Sequence, residues 1–363
     1  MEFNQIRRQT KKIRVKDIFI GGDSPISIQS MTNADTCDSV STIKQIKDLE
    51  MAGCNIVRIT VPTIDATKTI SDIKKSDISI PIVADIHFDY KIALECVRLG
   101  IDKIRINPGN IGAEWKVKEV VSACKSEGIP IRIGVNGGSL EKHILEKYGN
   151  PCADALAESA FYHLDLLEKN GFSNSIVSVK SSQVREMINA NRIIAKSCNY
   201  PIHLGVTEAG DNYTGLIKSS IGIGSLLCDG IGDTIRVSLT ADPLEEISAA
   251  KELLTSVDCY NDGSIQVVSC PTCGRTKIDL ITLSKSFKQK IKTLDTKGKN
   301  IKVALMGCVV NGPGEAKECD IGVAGGIGEA VLFKHGQIIR KIEENMIISV
   351  LYEEIERMIN ENE

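Results

Sequence analysis

The chain has 363 residues and a formal net charge of -3, long enough for about two domains that each bury a core. The near-neutral charge argues against a general nucleic-acid binder, because such proteins present a basic surface. No apolar run reaches about 18 residues, so no membrane-spanning segment is expected. Most of the twelve cysteines are scattered through the sequence, which predicts reduced thiols and a cytoplasmic protein.

Short β-like runs recur through the first two-thirds of the chain, separated by segments with helical apolar spacing. Repeated strand–helix units imply parallel strands. Eight units over about 250 residues is the size of a closed (β/α)8 TIM barrel. The predicted strands are Pro25–Met31, Asn55–Val61, Ile80–Phe88, Asp102–Asn107, Ile129–Asn136, Ser175–Ser181, Pro201–Thr207 and Asp233–Thr240.

Within these strands, alternate positions are apolar and the positions between them are polar or charged. Val57 and Ile59, for example, alternate with Arg58 and Thr60. Because neighbouring side chains of a strand point to opposite faces, the apolar set should pack against the outer helices and the polar set should face the lumen. An ordinary barrel lumen is filled by Val, Ile and Leu, so a charged lumen is not packing material.

Five cationic residues share the polar positions, and they would repel one another strongly in a low dielectric without anions between them. They are Arg58, Arg105, Arg132, Lys180 and Arg236. The alternative is that each arginine pairs with a local carboxylate. Convergence at five strand ends instead favours a site for a small, multiply charged anion, most simply a diphosphate. Glu208 follows the seventh strand beside this cationic mouth, although a solvated surface position is the ordinary alternative for a loop glutamate.

A second α/β domain is predicted after a boundary near Thr255–Ser264, where Asn261-Asp262-Gly263 is a strong turn signal. The predicted domains are residues 1–258 and 259–363. The expected elements of the second domain are strands at Ile265–Ser269, Lys302–Met306 and Asp320–Ala324, a hairpin of Ala330–Phe333 with Gln337–Lys341, a helix over Leu280–Leu294 and a closing amphipathic helix reaching Met358.

This second domain carries a CxxC motif, Cys270-Pro271-Thr272-Cys273, and a third cysteine, Cys308, in a Gly/Pro-rich loop. Three thiolates leave one metal position for a weaker ligand or a substrate, which favours a reactive iron–sulfur cluster. The alternative is structural zinc with Cys319 as the fourth ligand. Glu315 lies on the Cys308 loop and is the preferred oxygen ligand, because the charged neighbours of Cys319 are more typical of a surface segment.

The chain resembles the bacterial 4-hydroxy-3-methylbut-2-enyl diphosphate synthases over essentially its whole length. The most specific matches are the segments 270–275 and 307–316. Supporting matches are 85–88, 105–110, 132–136 and 203–210. Because the eighth strand runs into the second domain without space for a large insert, the resemblance is to the short, two-domain form of the family.

The resemblance implies a reductive ring opening and dehydration of 2-C-methyl-D-erythritol 2,4-cyclodiphosphate to 4-hydroxy-3-methylbut-2-enyl diphosphate, in the non-mevalonate (MEP) pathway of isoprenoid biosynthesis. Two electrons would arrive singly from flavodoxin or ferredoxin. A homodimer is also implied, with the cluster domain of one subunit capping the barrel of the other. One alternative is a cluster-bearing regulator or binding protein, against which the cationic lumen and the lack of a basic surface argue. The other is a TIM-barrel lyase or hydrolase with a structural zinc module.

The site residues implied by the resemblance complete the prediction. A [4Fe–4S] cluster would be held by Cys270, Cys273, Cys308 and Glu315. Glu208 and Glu315 are the predicted catalytic residues. The predicted substrate-binding residues are Arg58, Asp85, His87, Arg105, Asn107, Arg132, Asn136, Lys180, His203, Thr207, Arg236 and Ser238.

Overall fold

The computed structural model describes residues 7–260, 263–292, 294–309, 314 and 316–361. The chain forms two compact units, Met1–Cys259 and Tyr260–Glu363. Within these described ranges, no helix combines the length and the apolar character needed to cross a membrane.

The first unit begins with a small antiparallel hairpin of β1 (Ile13–Val15) and β2 (Ile18–Ile20). Eight parallel strands follow, in the order β8-β7-β6-β5-β4-β3-β10-β9. They are β3 (Ser27–Met31), β4 (Ile56–Thr60), β5 (Ile82–Ile86), β6 (Lys103–Ile106), β7 (Ile131–Asn136), β8 (Ser175–Lys180), β9 (His203–Leu204) and β10 (Thr234–Ile235).

The two edges of this sheet meet, because Val177 of β8 forms a parallel bridge with Ile202, the residue before β9. The β1–β2 hairpin packs across the amino-terminal end of the resulting barrel. Its buried residues Ile13, Val15 and Ile20 form one apolar cluster with side chains from the starts of three barrel strands, which are Ile56, Val83 and Ile176. The hairpin thus covers this end of the barrel with apolar side chains.

Helices connect the strands, and several of them begin at an aspartate whose side chain accepts a backbone N–H of the first turn, a favourable N-cap. Asp38, Asp89, Asp211 and Asp242 have this role. The helices are α1 (Ser39–Met51), α2 (Lys68–Lys75), α3 (Tyr90–Arg98), α4 (Pro108–Ile111), α5 (Glu114–Glu127), α6 (Lys142–Tyr148), α7 (Ala153–Lys169), α8 (Val184–Ser197), α9 (Asn212–Cys228) and α10 (Pro243–Ser256).

The second unit is a five-stranded sheet in sequential order with helices and its own apolar core. The first three strands are parallel and the last three are antiparallel. The elements are β11 (Ser264–Ser269), α11 (Leu280–Ile291), β12 (Asn300–Met306), β13 (Ile321–Gly325), β14 (Glu329–Lys334), β15 (Gln337–Glu343) and α12 (Ile347–Asn360).

The predicted fold class, a TIM barrel followed by a smaller α/β domain, is confirmed. The seventh and eighth strands are much shorter than predicted, with two residues each. Beyond them the chain stays extended through other hydrogen bonds, since the N–H of Arg236 donates to the carbonyl of Leu204 at 2.9 Å and the N–H of Leu239 to the Glu246 carboxylate at 3.2 Å. A side chain thus replaces a neighbouring strand at this point.

Candidate functional site

A cavity of about 370 Å³ opens at the carboxyl ends of the barrel strands. In (β/α)8 barrels this end carries the active site. The lining side chains come from inward-facing strand positions and from the residues that follow the strands. They are Met31, Arg58, Asp85, His87, Arg105, Arg132, Asn136, Ser178, Lys180, Thr207, Glu208, Arg236 and Ser238.

Asp85 is a buried carboxylate on the cavity wall. Its Oδ1 lies 3.0 Å from Nη1 of Arg105, and its Oδ2 lies 3.5 Å from Nε of Arg58. His87 Nε2 is 3.6 Å from the same Oδ2. Burial opposes ionisation, but the charge of Arg58, a hydrogen bond from His87 and the charge of Arg105 hold the pKa of Asp85 well below its ordinary value. Asp85 is therefore ionised and fixes two guanidinium groups.

Arg236 is held by a second buried carboxylate, Glu246 of α10. Nε and Nη2 of Arg236 donate to the two carboxylate oxygens at 3.1 and 3.0 Å. Ser30 Oγ donates to one of the same oxygens at 2.8 Å. Such a bidentate pair fixes the plane of the guanidinium group as well as its position.

Arg132 and Lys180 have no carboxylate at ion-pair distance in the part of the chain that the structure describes, although both are buried. Nη1 of Arg132 instead donates to Oε1 of Gln29 at 3.4 Å. Burial, together with the charges of Arg58 and Arg105, lowers the pKa of Arg132 well below its ordinary value. Burial and nearby arginines lower the pKa of Lys180 in the same way. An anion in the cavity would stabilise the charged form of both groups.

The cavity thus carries more positive than negative charge. Local pairing with a carboxylate, the alternative interpretation of the sequence, holds for Arg58, Arg105 and Arg236. It fails for Arg132 and Lys180. The uncompensated charge favours a ligand with several negative oxygens, such as a diphosphate.

Two inward-facing glycines give these long cations their space. A Cβ at Gly134 would lie 2.3 Å from Nε of Arg105. A Cβ at Gly205 would lie 2.8 Å from Nζ of Lys180. Both distances are shorter than any real contact, so larger residues at either position would displace the cation.

Asn107, a predicted binding residue, does not line the cavity. Its Nδ2 donates to Ser139 Oγ at 2.9 Å, and its Oδ1 accepts from the N–H of Gly109 at 3.1 Å. The strand β6 ends at Ile106, so the alternation of faces does not extend to the next residue. Asn107 therefore joins the loops after β6 and β7.

His203 also lies outside the cavity lining. Its side chain faces the lumen. His203 precedes the cavity residue Thr207 by four positions and is fully buried. Its Nδ1 is 3.4 Å from Oγ1 of Thr234. Burial, followed by the charges of Arg132 and Lys180, lowers the pKa of His203 well below its ordinary value, so the ring is neutral.

Several residues of this region were missed in the sequence. Met31 and Ser178 line the cavity, and Lys103 is a fully buried cation on β6. All three share the inward parity of their strands, so the same alternation could have identified them. For Glu246, a glutamate in a helical segment, the sequence carries no such signal.

Glu208 lines the mouth of the cavity and is exposed. Its φ is 53°, a left-handed backbone conformation that is uncommon outside glycine and is often found at functional sites. Its loop is tied to the next one, since the N–H of Thr240 donates to the carbonyl of Gly210 at 2.9 Å. This hydrogen bond connects the loops that follow β9 and β10 at the mouth of the cavity.

In the second unit, the predicted metal-binding cysteines follow the ends of two adjacent parallel strands. Cys270 comes directly after β11, and Cys308 comes two residues after β12. The N–H of Gly307 donates to Sγ of Cys270 at 3.2 Å. The backbone N–H of Arg275 and then its side chain lower the pKa of the Cys273 thiol. Lowered pKa values favour the thiolate, the form that binds metals.

All the cysteines are free thiols. Among the residues that the structure describes, no three His, Cys, Asp or Glu side chains are close enough to hold one metal ion. The predicted ligand Glu315 and residues 310–313 of the Cys308 loop lie outside the described residues. The donor set of this region is nevertheless sulfur-rich, as iron–sulfur clusters require.

Cys319, the alternative fourth ligand, is buried rather than on the surface. It is 5% exposed and lies in an apolar cluster with Ala304, Met306 and Phe333. Burial raises the pKa of its thiol, which disfavours the thiolate. Lys317 and Glu318 are exposed, as expected for a surface segment, but the Cys319 side chain that follows them is buried.

Two family models match the chain. The GcpE TIM-barrel domain matches residues 10–251, and the GcpE protein C-terminal domain matches residues 266–357. The chain belongs to the GcpE family. The first GcpE model matches residues within the unit Met1–Cys259, and the second matches residues within the unit Tyr260–Glu363. The residues that line the cavity all lie in the part matched by the first model.

Curated relatives share the full length of this GcpE chain. A protein of Ruminiclostridium cellulolyticum is 55% identical over 352 residues, which cover 97% of this chain and 98% of the relative. A protein of Fusobacterium nucleatum is 55% identical over 357 residues, covering 98% of each. Both are named 4-hydroxy-3-methylbut-2-en-1-yl diphosphate synthase (flavodoxin).

Among solved structures, a variant of the Plasmodium falciparum HPPK-DHPS protein has a TM-score of 0.50 and 16% identity to this GcpE chain. The match covers 78% of this chain and 54% of that one. At this identity the likeness concerns the fold alone.

Proposed function

We propose that this GcpE-family enzyme is a flavodoxin-dependent 4-hydroxy-3-methylbut-2-en-1-yl diphosphate synthase of isoprenoid biosynthesis. Its substrate would be 2-C-methyl-D-erythritol 2,4-cyclodiphosphate. The observation that carries the proposal is a pair of buried cations, Arg132 and Lys180, which have no carboxylate partner among the described residues and line a cavity of about 370 Å³. The relatives' name supplies the product and the electron donor.

The reaction consumes two electrons and breaks two C–O bonds. Between substrate and product, the bond from C2 to the ring oxygen breaks, and that oxygen stays on the diphosphate, which remains attached at C4. The C3 hydroxyl leaves as water. A double bond forms between C2 and C3. With the product written as its trianion and the substrate as its dianion, one proton is taken up.

Arg58, Arg105, Arg132, Lys180 and Arg236 would bind the diphosphate oxygens in this proposal. Their part is to hold the diphosphate while its bond to C2 breaks, when negative charge on that oxygen increases. Because Asp85 and Glu246 already fix three of the guanidinium groups, little reorganisation is needed as that charge develops. The strongest stabilisation would therefore come late in the bond cleavage.

Glu208 is the proposed proton donor for the departing hydroxyl. It lies at the mouth of the cavity and has a left-handed backbone conformation. A carboxyl group within reach of the C3 oxygen would convert hydroxide, a poor leaving group, into water. The proton enters from the solvent side, because Glu208 is exposed.

We further propose that Cys270, Cys273, Cys308 and Glu315 hold a [4Fe–4S] cluster. When bound, such a cluster supplies one-electron transfer and an iron atom for the substrate oxygen. The free thiols and the N–H donated to Sγ of Cys270 support this assignment. Glu315→Gln should leave the barrel site intact and alter the cluster's stability and its spectrum on addition of substrate.

The test of the function is an anaerobic assay of the protein after reconstitution with iron and sulfide. Reduced flavodoxin and the cyclodiphosphate should give 4-hydroxy-3-methylbut-2-enyl diphosphate with two electrons consumed per turnover. Zinc in place of iron, or no product from the loaded protein, would reject the proposal. Ferredoxin in the same assay tests the alternative donor.

A homodimer in the cytoplasm completes the proposal. Flavodoxin is the electron donor named for the relatives, and the free cysteines fit a reducing compartment. Light scattering on a size-exclusion column should give twice the 39.4 kDa mass of the chain.

A further inference from the structure

We infer that Glu246, a residue of α10, is a positioning residue for the anion site: it holds Arg236 in the orientation that binds the diphosphate. The inference rests on the proposed function for the class of ligand. It assigns a role to a helix residue that does not line the cavity itself.

Glu246 has three different partners. Its side chain is 3% exposed, accepts two hydrogen bonds from Arg236, and accepts one from Ser30 Oγ at 2.8 Å. The N–H of Leu239 donates to Oε1 at 3.2 Å. Every lone-pair direction that a buried carboxylate needs to fill is therefore used, and the group has little freedom to move.

These partners belong to different parts of the barrel. Ser30 lies in β3, Arg236 follows β10, and Leu239 lies in the loop before α10. A single carboxylate thus connects a neighbouring strand, a cavity cation and a loop. Arg236 has no other carboxylate partner at ion-pair distance within the described ranges.

The connection continues to the mouth of the cavity. Ser238, the neighbour of Leu239, lines the cavity, and the N–H of Thr240 donates to the carbonyl of Gly210 in the Glu208 loop. Loss of the carboxylate should release Arg236 first and loosen this loop second.

The contrast with Arg132 and Lys180 explains why a fixed guanidinium matters. Among the residues that the structure describes, no carboxylate fixes the orientation of those two cations. Arg236 is instead presented with its plane fixed, so that its Nη1 remains free of Glu246. A preorganised donor loses less conformational freedom when it binds an anion.

The experiment is a double-mutant cycle of Glu246→Gln and Arg236→Ala, read by calorimetric titration of inorganic pyrophosphate into the iron-loaded protein. Glu246→Gln should weaken pyrophosphate binding about tenfold. In the Arg236→Ala background the same substitution should have an effect of less than about twofold, because its target is gone. Steady-state assays with the cyclodiphosphate should show the loss mainly in KM.

Glu252→Gln is the matched control, because it makes the same substitution at an exposed position of the same helix. It should keep wild-type affinity and iron content. Wild-type affinity in Glu246→Gln, or an equal loss with and without Arg236, would overturn the inference.

Glu246→Asp provides a second test if Glu246→Gln does not fold. The shorter carboxylate keeps its charge but cannot hold both guanidinium nitrogens as before, so an intermediate loss of about threefold is expected, and only when Arg236 is present. Wild-type affinity in this variant would also overturn the inference. Because pyrophosphate is the probe, an inactive wild-type enzyme would reject the proposed function and leave this result readable.

Discussion

The barrel cavity and the cysteine region place their functional groups in opposite ways. In the barrel, long charged side chains stand on strands, are buried, and are fixed by Asp85 and Glu246. In the second unit, short thiols stand on loops just beyond strand ends, and Cys273 is exposed. The barrel groups are already positioned by protein contacts, whereas in the proposed cluster site a bound metal would bring the loop thiols together.

Substitution of a cysteine should give the largest effect and separate the two regions completely. Cys270→Ser, Cys273→Ser and Cys308→Ser should each remove the ~400 nm absorption of a cluster and abolish turnover, because a hydroxyl is a poor substitute for the thiolate. Pyrophosphate binding in the barrel should be unchanged. Iron analysis, absorption spectra and calorimetry give these readouts.

Cys319→Ala is the control for the cysteine variants. Because Cys319 is a buried member of an apolar cluster, it should keep its iron and lose only some stability. Full iron and activity in Cys308→Ser would contradict the ligand assignment.

Glu208→Gln should lower kcat by about 10²–10⁴-fold, the usual contribution of a general acid. The iron content and the affinity for pyrophosphate should remain those of the wild type, since the amide keeps the size of the side chain. Steady-state assays with a strong artificial reductant measure this effect without flavodoxin. Glu119→Gln, at an exposed position of α5, is the control. An unchanged kcat in Glu208→Gln would assign the proton to another group.

Arg105→Ala and Arg132→Ala should each cost about 2–4 kcal/mol of substrate binding, tenfold or more in KM, with the iron content unchanged. Their effects on stability should differ. Arg105→Ala leaves Asp85 with one guanidinium fewer and should lower the urea midpoint. Arg132→Ala removes a buried charge that has no carboxylate partner in the described ranges, which offsets the cost of the cavity it leaves, so its midpoint should fall less than that of Arg105→Ala. Unaltered KM values in both variants would make these arginines structural.

The pH dependence of ligand binding should give the smallest effect. Burial, then the charges of Arg58 and Arg236, lower the pKa of Lys180 well below its ordinary value of 10.5. A bound anion raises that pKa, so binding takes up a proton and weakens with rising pH, by at most about tenfold per pH unit for one proton. Calorimetry in buffers of different ionisation enthalpy measures the uptake. Lys180→Arg should remove the part of the proton uptake that is due to the lysine. An unchanged proton uptake in that variant would exclude Lys180 as its source.

The same pKa shift has a defined sign for stability. Below 10.5, the unfolded chain holds a proton on Lys180 that the ligand-free folded protein binds less tightly. The free energy of unfolding should therefore rise with pH between the lowered folded pKa and 10.5. Lys103 is fully buried, with a pKa lowered by burial and by Arg132 and Arg58, and it adds to the same slope.

The alternation of strand residues predicted most of the cavity lining because it depends only on the geometry of a strand. The alternation gives no prediction beyond the end of a strand, and it carries no information about depth along the barrel axis. Asn107 lies one residue beyond its strand, so its direction is set by the loop. His203 faces the lumen as predicted, but alternation gives no depth along the barrel axis, and it lies below the cavity.

Contacts between distant elements were beyond reach of the sequence. Glu246 pairs with Arg236 because α10 packs against β3 and brings this carboxylate to the residue that follows β10, and no local pattern marks one glutamate of a helix for that position. Cys319 was misplaced for the opposite reason, since its charged neighbours concealed a single buried position. Local periodicity thus predicts faces, whereas partners require the assembled fold.

The β1–β2 hairpin covers the amino-terminal end of the barrel, so the carboxyl-terminal mouth is the route by which a charged ligand should reach the cavity. Since Ile13, Val15 and Ile20 cover the amino-terminal end with apolar side chains, a charged ligand would have to cross hydrocarbon to leave by that end. Substrate and product should then pass through the same mouth of the cavity, one after the other. The product must therefore dissociate before the next substrate molecule binds. The diphosphate product should inhibit the enzyme competitively with respect to the cyclodiphosphate.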